Sequence, residues 1–238
     1  MSWAWSGRPD NIHQVANWPD AISPGNTERV KTPTVIHYPN AADGSLEDGA
    51  EITWGYAVPQ GGNAIRWFKL LLLEKRDIGM HLTETTMAHL TEMRRTIDAS
   101  GKSVVDIIAE YLRLLWRHTM ERVEGQHGAG TVSRLAFTVV ITVPAIWQGY
   151  VREKMRTAVK RAGILDPRPT PSGASTPPPP TKLKFITEPE AAALATLTDL
   201  RRTGGIQVRI RPHQEVPCTD LSSVGTLSQL WTLAEAHW

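Results

Sequence analysis

Seven consecutive apolar, aromatic and β-branched residues, Phe137 to Val143, carry no charge and end at Pro144. A run of this kind reads as a strand buried on both faces, and the proline marks where it leaves its sheet. The plan repeats at Lys182 to Thr187, KLKFIT, which reads as a second strand. Glu188-Pro189-Glu190 then turns into an alanine-rich helix, with proline at the first helical position, where its missing N–H is not needed. Between the two strands Val151, Met155, Ala158, Val159 and Ala162 make one helix face, with Gly163 placed to end it. Strand, helix, strand, helix implies two parallel strands joined by a crossover, and in open sheets of that kind ligands sit beyond the carboxyl ends of the strands. Pro144 and Glu188 both occupy such ends.

The residues before this unit divide in two. From Trp3 to Pro39 short strand-like pieces, His13 to Val15 and Thr34 to Tyr38, alternate with turn-rich segments and suggest a small antiparallel meander. Asn40 to Gly49 reads as its hairpin loop, Glu51 to Val58 as a return strand, Pro59 to Gly62 as a turn, and Trp67 to Leu73 as an apolar block packed on the body. A helix is expected from Thr83 to Asp98. A longer one runs from Ser103 to about Arg122, because Val104, Ile107, Ile108, Tyr111, Leu112 and Leu115 recur at helical spacing. The fold class is α/β: a mixed sheet with an antiparallel meander, a helix pair and the crossover unit.

Two segments stand outside that pattern. Asp166 to Thr181, DPRPTPSGASTPPPPT, reads as an extended, mobile insertion. After Leu200 the periodicity decays, so residues 1–200 form the expected globular unit and 201–238 a weakly structured tail. That tail offers one strand, Ile206 to Ile210, and a short helix near Leu227 to Ala236. A formal charge of +2 does not argue for nucleic acid, and the lone Cys218 excludes an internal disulfide. The first residues lack the basic-then-apolar order of a signal peptide, and no apolar run approaches a membrane span. The expected location is cytoplasmic.

At VVITVPAIW followed by FITEPEAAALATL, the chain resembles the seventy-kilodalton heat-shock protein family, in particular its divergent fungal heat-shock-like members. KTPTVIHYP, WGYAVP, RWFKLLLL and the helix pair extend the resemblance over about the first 200 residues in matching order. It implies part of an actin-like (ribonuclease H-like) ATPase lobe, magnesium-ATP as cofactor, and client or co-chaperone proteins as partners. Glu188 matches the family's cleft glutamate, which organises the magnesium hydration shell and attacking water; read without the family it is a favourable acidic helix start. Pro144 and Arg152 match the residues that relay nucleotide state; otherwise they are a strand terminator and a surface charge. Lys69 matches the lysine that contacts the γ-phosphate, with Lys75 as a competing alignment.

Neither of the family's glycine-rich phosphate loops can be read in the sequence. The first would precede Met1, and Gly204-Gly205 has no aspartate before it. Three readings follow: an ATPase lobe not competent to bind or hydrolyse ATP alone, a non-catalytic interaction protein using the lobe face or the proline-rich insertion, or an incomplete reading of a longer gene whose central sheet would be left with an open edge. Sugar kinases and actin, which share the fold, are the runner-up families.

Overall fold

A computed structural model describes residues 1–19, 30–38, 51–59, 64–78, 83–170, 173, 176–202 and 227–231. Its backbone is a mixed α/β arrangement built on two sheets. The larger has the order β2-β1-β8-β6-β7, from strands β1 (Ser2–Trp5), β2 (Arg8–Gln14), β6 (Phe137–Val143), β7 (Lys182–Thr187) and β8 (Leu227–Trp231). The smaller has the order β4-β3-β5, from β3 (Val35–His37), β4 (Thr53–Trp54) and β5 (Ile65–Arg66). Among the described residues five α-helices complete it: α1 (Glu84–Ala99), α2 (Val104–His127), α3 (Ala129–Val132), α4 (Gly149–Arg161) and α5 (Glu188–Arg202).

The crossover unit forms as its residues dictate. β6 is buried at every position but one, and it pairs in parallel with β7 from Thr138↔Lys182 to Val143↔Thr187. Val151, Met155, Ala158 and Val159 of α4 are fully buried, while Arg152, Arg156 and Lys160 on the opposite face are exposed. Gly163, at a φ of +78°, supplies the left-handed residue that ends the helix. α2 presents its expected stripe, and Ser103 caps it in a reciprocal capping box with Asp106, worth about 1 kcal/mol. It packs on α4, and Arg113 and Arg161 fasten the pair: Arg113 donates to the Arg161 carbonyl at 2.9 Å and Arg161 to the Asp106 carboxylate at 2.5 Å.

Three expectations are corrected. The meander is not one sheet. The first hairpin, β1 with β2, joins the large sheet, whereas β3 leaves for the small one, where Ile36 pairs with both Trp54 and Ile65. The physical reason is an aromatic group around Tyr111 of α2, part of the one continuous core. Trp54 meets Tyr111 edge-on at 5.9 Å, Phe68 lies 5.5 Å from the same ring, and the Tyr111 hydroxyl donates to the Pro33 carbonyl at 3.2 Å, so the small sheet is drawn onto the helix.

The second correction concerns the tail. Leu227 to Trp231, expected to open a short helix, is a strand at the centre of the large sheet, antiparallel to β1 and parallel to β6. Ladder bonds on both sides outweigh the weak helical propensity of five residues, and the sheet therefore has no open edge between β1 and β6. The other tail element, Ile206 to Ile210, lies outside the described residues, as do the proposed hairpin loop at Asn40 to Gly49 and most of the turn at Pro59 to Gly62.

Third, the proline-rich excursion is tied down rather than free at its base. Arg168 donates to the carbonyls of Val132, Leu135 and Pro179 and stacks over Phe137 at 4.5 Å. Desolvation holds its guanidinium below the usual arginine range.

Candidate functional site

The site begins with a turn. After β5 the chain reverses through Trp67, a non-glycine residue at a φ of +54°, and closes a 3-10 turn at Leu70–Leu72. That reversal buries Phe68, Leu71 and Leu72 and leaves Lys69 as the polar member directed away from the core. The turn's carbonyls are capped by two cations from different helices. Arg94 of α1 donates to the Leu73 carbonyl at 3.0 Å, and Lys154 of α4 donates to the Leu72 carbonyl at 3.1 Å. The next turn, Lys75–Asp77, is held by Tyr150, whose hydroxyl accepts from the Glu74 amide at 3.0 Å and donates to the Asp77 carboxylate. Desolvation, with the Asp77 carboxylate adding to it, keeps the Tyr150 phenol above its usual range and therefore protonated as that donor.

Glu188 arrives from the other direction. It is the residue after the last β7 position, and Pro144 is the residue after the last β6 position; because Val143 and Thr187 are in register, the two stand side by side at the same end of adjacent parallel strands. Neighbouring strands lie about 4.8 Å apart. Thr187 fixes the start of α5 by accepting from the Glu190 amide at 3.3 Å. Lys69 Nζ reaches the Glu188 carboxylate at 3.4 Å across a sequence separation of 119 residues. The two side chains are 20% and 33% exposed, so the pair is partly screened and contributes at most about 1 kcal/mol to the fold.

Three of the four residues singled out in the sequence thus stand at one edge of the sheet: Lys69, Glu188 and Pro144. Arg152 does not join them. It lies exposed in the first turn of α4, and among the described residues its guanidinium has no ion-pair partner. The side chain of Lys75 is outside the described residues. Sequence reasoning missed Arg94 and Lys154, which hold the Lys69 turn, and Tyr150, which holds the turn after it; nothing in their spacing marks them, since each acts on backbone or carboxylate groups from another part of the chain.

An ammonium and a carboxylate placed together at a strand edge can hold a phosphate oxygen and a hydrated cation respectively. Among the described residues no group of three or more histidine, cysteine, aspartate or glutamate side chains could hold a metal directly. A single carboxylate of this kind could act on a hydrated cation only as an outer acceptor, through water.

No protein-family model and no solved structure matches the chain. Two curated mammalian proteins are similar to it: Heat shock 70 kDa protein 12A of human and of mouse, each 26% identical over 195 residues. The match covers 81% of this chain and 26% of either relative, so the chain spans about a quarter of the length of the proteins it resembles. The similarity to these 70 kDa heat-shock proteins is distant.

Proposed function

We propose that this chain is a divergent partial ATPase lobe of the heat-shock type, which keeps one wall of a nucleotide cleft and does not turn over ATP by itself. The observation that supports it most is the Lys69 to Glu188 contact at 3.4 Å, beside Pro144, at the carboxyl edge of β6 and β7. In this reading Lys69 neutralises phosphate charge and Glu188 orients magnesium-bound water. Bound magnesium-ATP would supply the phosphoryl group and the metal that spreads its charge. The chain's own part is to hold the Lys69 turn still, through Arg94 and Lys154, and to present the carboxylate from a capped helix start.

No glycine-rich phosphate loop can be read in residues 1–238, and each preorganised contact of that kind that is lacking commonly lowers the rate by about 10²-fold or more. Client and co-chaperone binding, cytoplasmic location and the fungal subgroup belong to the same proposal. The test is a titration with magnesium-ATP. No turnover above a Glu188→Ala control and no saturable thermal shift are expected, with weak amide shifts in NMR spectra confined to 67–77 and 186–191. A saturable shift of several degrees that Glu188→Ala abolishes would reverse the incompetence, and amide shifts confined to other regions would remove the site itself.

A second reading, partner binding through the lobe face without catalysis, draws on α5, where Leu194 is 48% and Leu197 38% exposed. The anchoring of the proline-rich excursion by Arg168 shifts that reading from the prolines to α5.

A further inference from the structure

Helix α5 is not absorbed by the core. α1, α2 and α4 each bury apolar side chains under or beside the sheets, whereas none of residues 188–200 of α5 is buried. From Pro189 to Leu197 every residue but Ala191 is exposed. Single exposed apolar residues are ordinary on a protein surface. Among the described residues Ile12, Trp67, Met87 and Ile146 are of that kind, each on a different segment, but Leu194 and Leu197 stand one helical turn apart on the same side of one helix.

The stripe they belong to matches itself in reverse. Glu190, Leu194, Leu197 and Arg201 are spaced four, three and four positions apart, and at about 100° per residue these helix positions fall within about 60° of one another. Read from either end, the order is charge, leucine, leucine, opposite charge. Two such helices laid antiparallel about a two-fold axis between Ala195 and Thr196 set each Leu194 against the other Leu197, and each Glu190 against the other Arg201. A parallel pair would set Glu190 against Glu190. The positions bordering the leucines are Ala193 and Thr198, both small, and Thr198 donates its hydroxyl to the Leu194 carbonyl at 2.8 Å, so neither obstructs close approach of the axes. Glu188 lies about 200° round the helix from Glu190, away from the stripe.

We infer that α5 is a self-association surface: a second copy of this chain packs its own α5 antiparallel on this stripe, joined by two leucine pairs and two ion pairs between Glu190 and Arg201. Another protein would have to supply the same alternation of charge and leucine, which a second copy already carries. The contact is one helix wide, short of the roughly 1,200 Å² at which stable interfaces begin, so the dimer is weak and reversible. Because its charges lie at the rim of a small interface, salt loosens it. The inference rests on the α5 reading, for which it names the partner, and is independent of the nucleotide reading.

Charge exchange tests the partner directly. Sedimentation of the full chain at low salt, from about 10 μM to about 1 mM, is expected to show monomer passing to dimer. Glu190→Arg alone and Arg201→Glu alone each bring like charges together in both ion pairs, and each is expected to weaken dimerisation by roughly tenfold. An equimolar mixture of the two variants is expected to recover a dimer, now a heterodimer, because the changes complement each other across the two-fold; the chain carrying both changes should dimerise as the unaltered one does. Circular dichroism checks that each variant keeps its helix content. A folded chain that stays monomeric up to about 1 mM would overturn the inference and leave α5 open to a different partner. Association that Leu194→Ser combined with Leu197→Ser leaves unchanged would place the contact elsewhere and remove the α5 reading as well. A mixture that associates no better than either variant alone would overturn the antiparallel pairing.

Discussion

β6 has two neighbours of opposite origin. On one side β7 pairs with it in parallel over six register positions, delivered by α4 from the next part of the chain. On the other, β8 pairs in parallel over five positions but comes from beyond α5. The ladders are alike, whereas the connections differ. A short crossover helix buries its own apolar face as it brings β7 home, so packing and pairing reinforce each other. β8 has the ladder, and its link to the rest of the chain is long. The two flanks should therefore fail in different ways.

The largest effect is expected on the β7 flank. Met155 is fully buried under the sheet, and Met155→Ala should lower global stability by about 2–5 kcal/mol in urea denaturation. A loss below 1 kcal/mol would show that α4 is not what secures β7. Hydrogen exchange compares the flanks directly. Amides of β7 facing β6 should exchange at least about tenfold more slowly than those of β8, because β8 can open without unfolding the crossover. Equal protection would erase the distinction.

Acid should loosen the β8 side first. His118, buried beside Trp18, donates from Nε2 to the Ala16 carbonyl at 3.2 Å and so holds the segment that follows β2. Desolvation keeps its imidazole below the ordinary histidine range, with Arg122 pushing the same way and the Ala16 carbonyl and Glu121 opposing. The unfolded chain then binds the proton more readily. Stability is complete above the unfolded histidine range, about pH 6.5, and declines as pH falls below it. His118→Gln should flatten that slope between pH 7.5 and 5 and accelerate exchange in β1 and β2. The smallest change belongs to the candidate site: Lys69→Met should lower the unfolding free energy by less than about 1 kcal/mol, since the ion pair is partly exposed. A larger loss would make the pair a structural clamp.

What could be read from the residues follows the same division. β6, α4, β7 and the start of α5 fall where the apolar run, the helical face and the Glu188-Pro189 step place them, because each is decided by neighbours within a few residues. So does α2, although its last turn passes the expected end at Arg122 and stops at Gly128, whose φ of +80° suits glycine. The pairing of Lys69 with Glu188 was suggested only by resemblance, and the contact depends on a reversal at Trp67 that no turn signal announces. β8 was missed altogether. Leu227 to Trp231 has neither strong strand composition nor a local partner, and its conformation is set by two edges more than 85 positions earlier in the chain.

Arg168 has a last consequence. By bonding to Pro179 and to the turn before β6, it brings the two ends of the proline-rich stretch together at a fixed anchor. The ends of that stretch are spaced by the anchor and not by its contour length, so the entry point of β7 does not depend on how many residues lie between. Doubling the loop would add only about 0.6 kcal/mol of closure entropy. This position can therefore take up added sequence, such as a tag or a small inserted domain, while the register of β6 with β7 stays as it is.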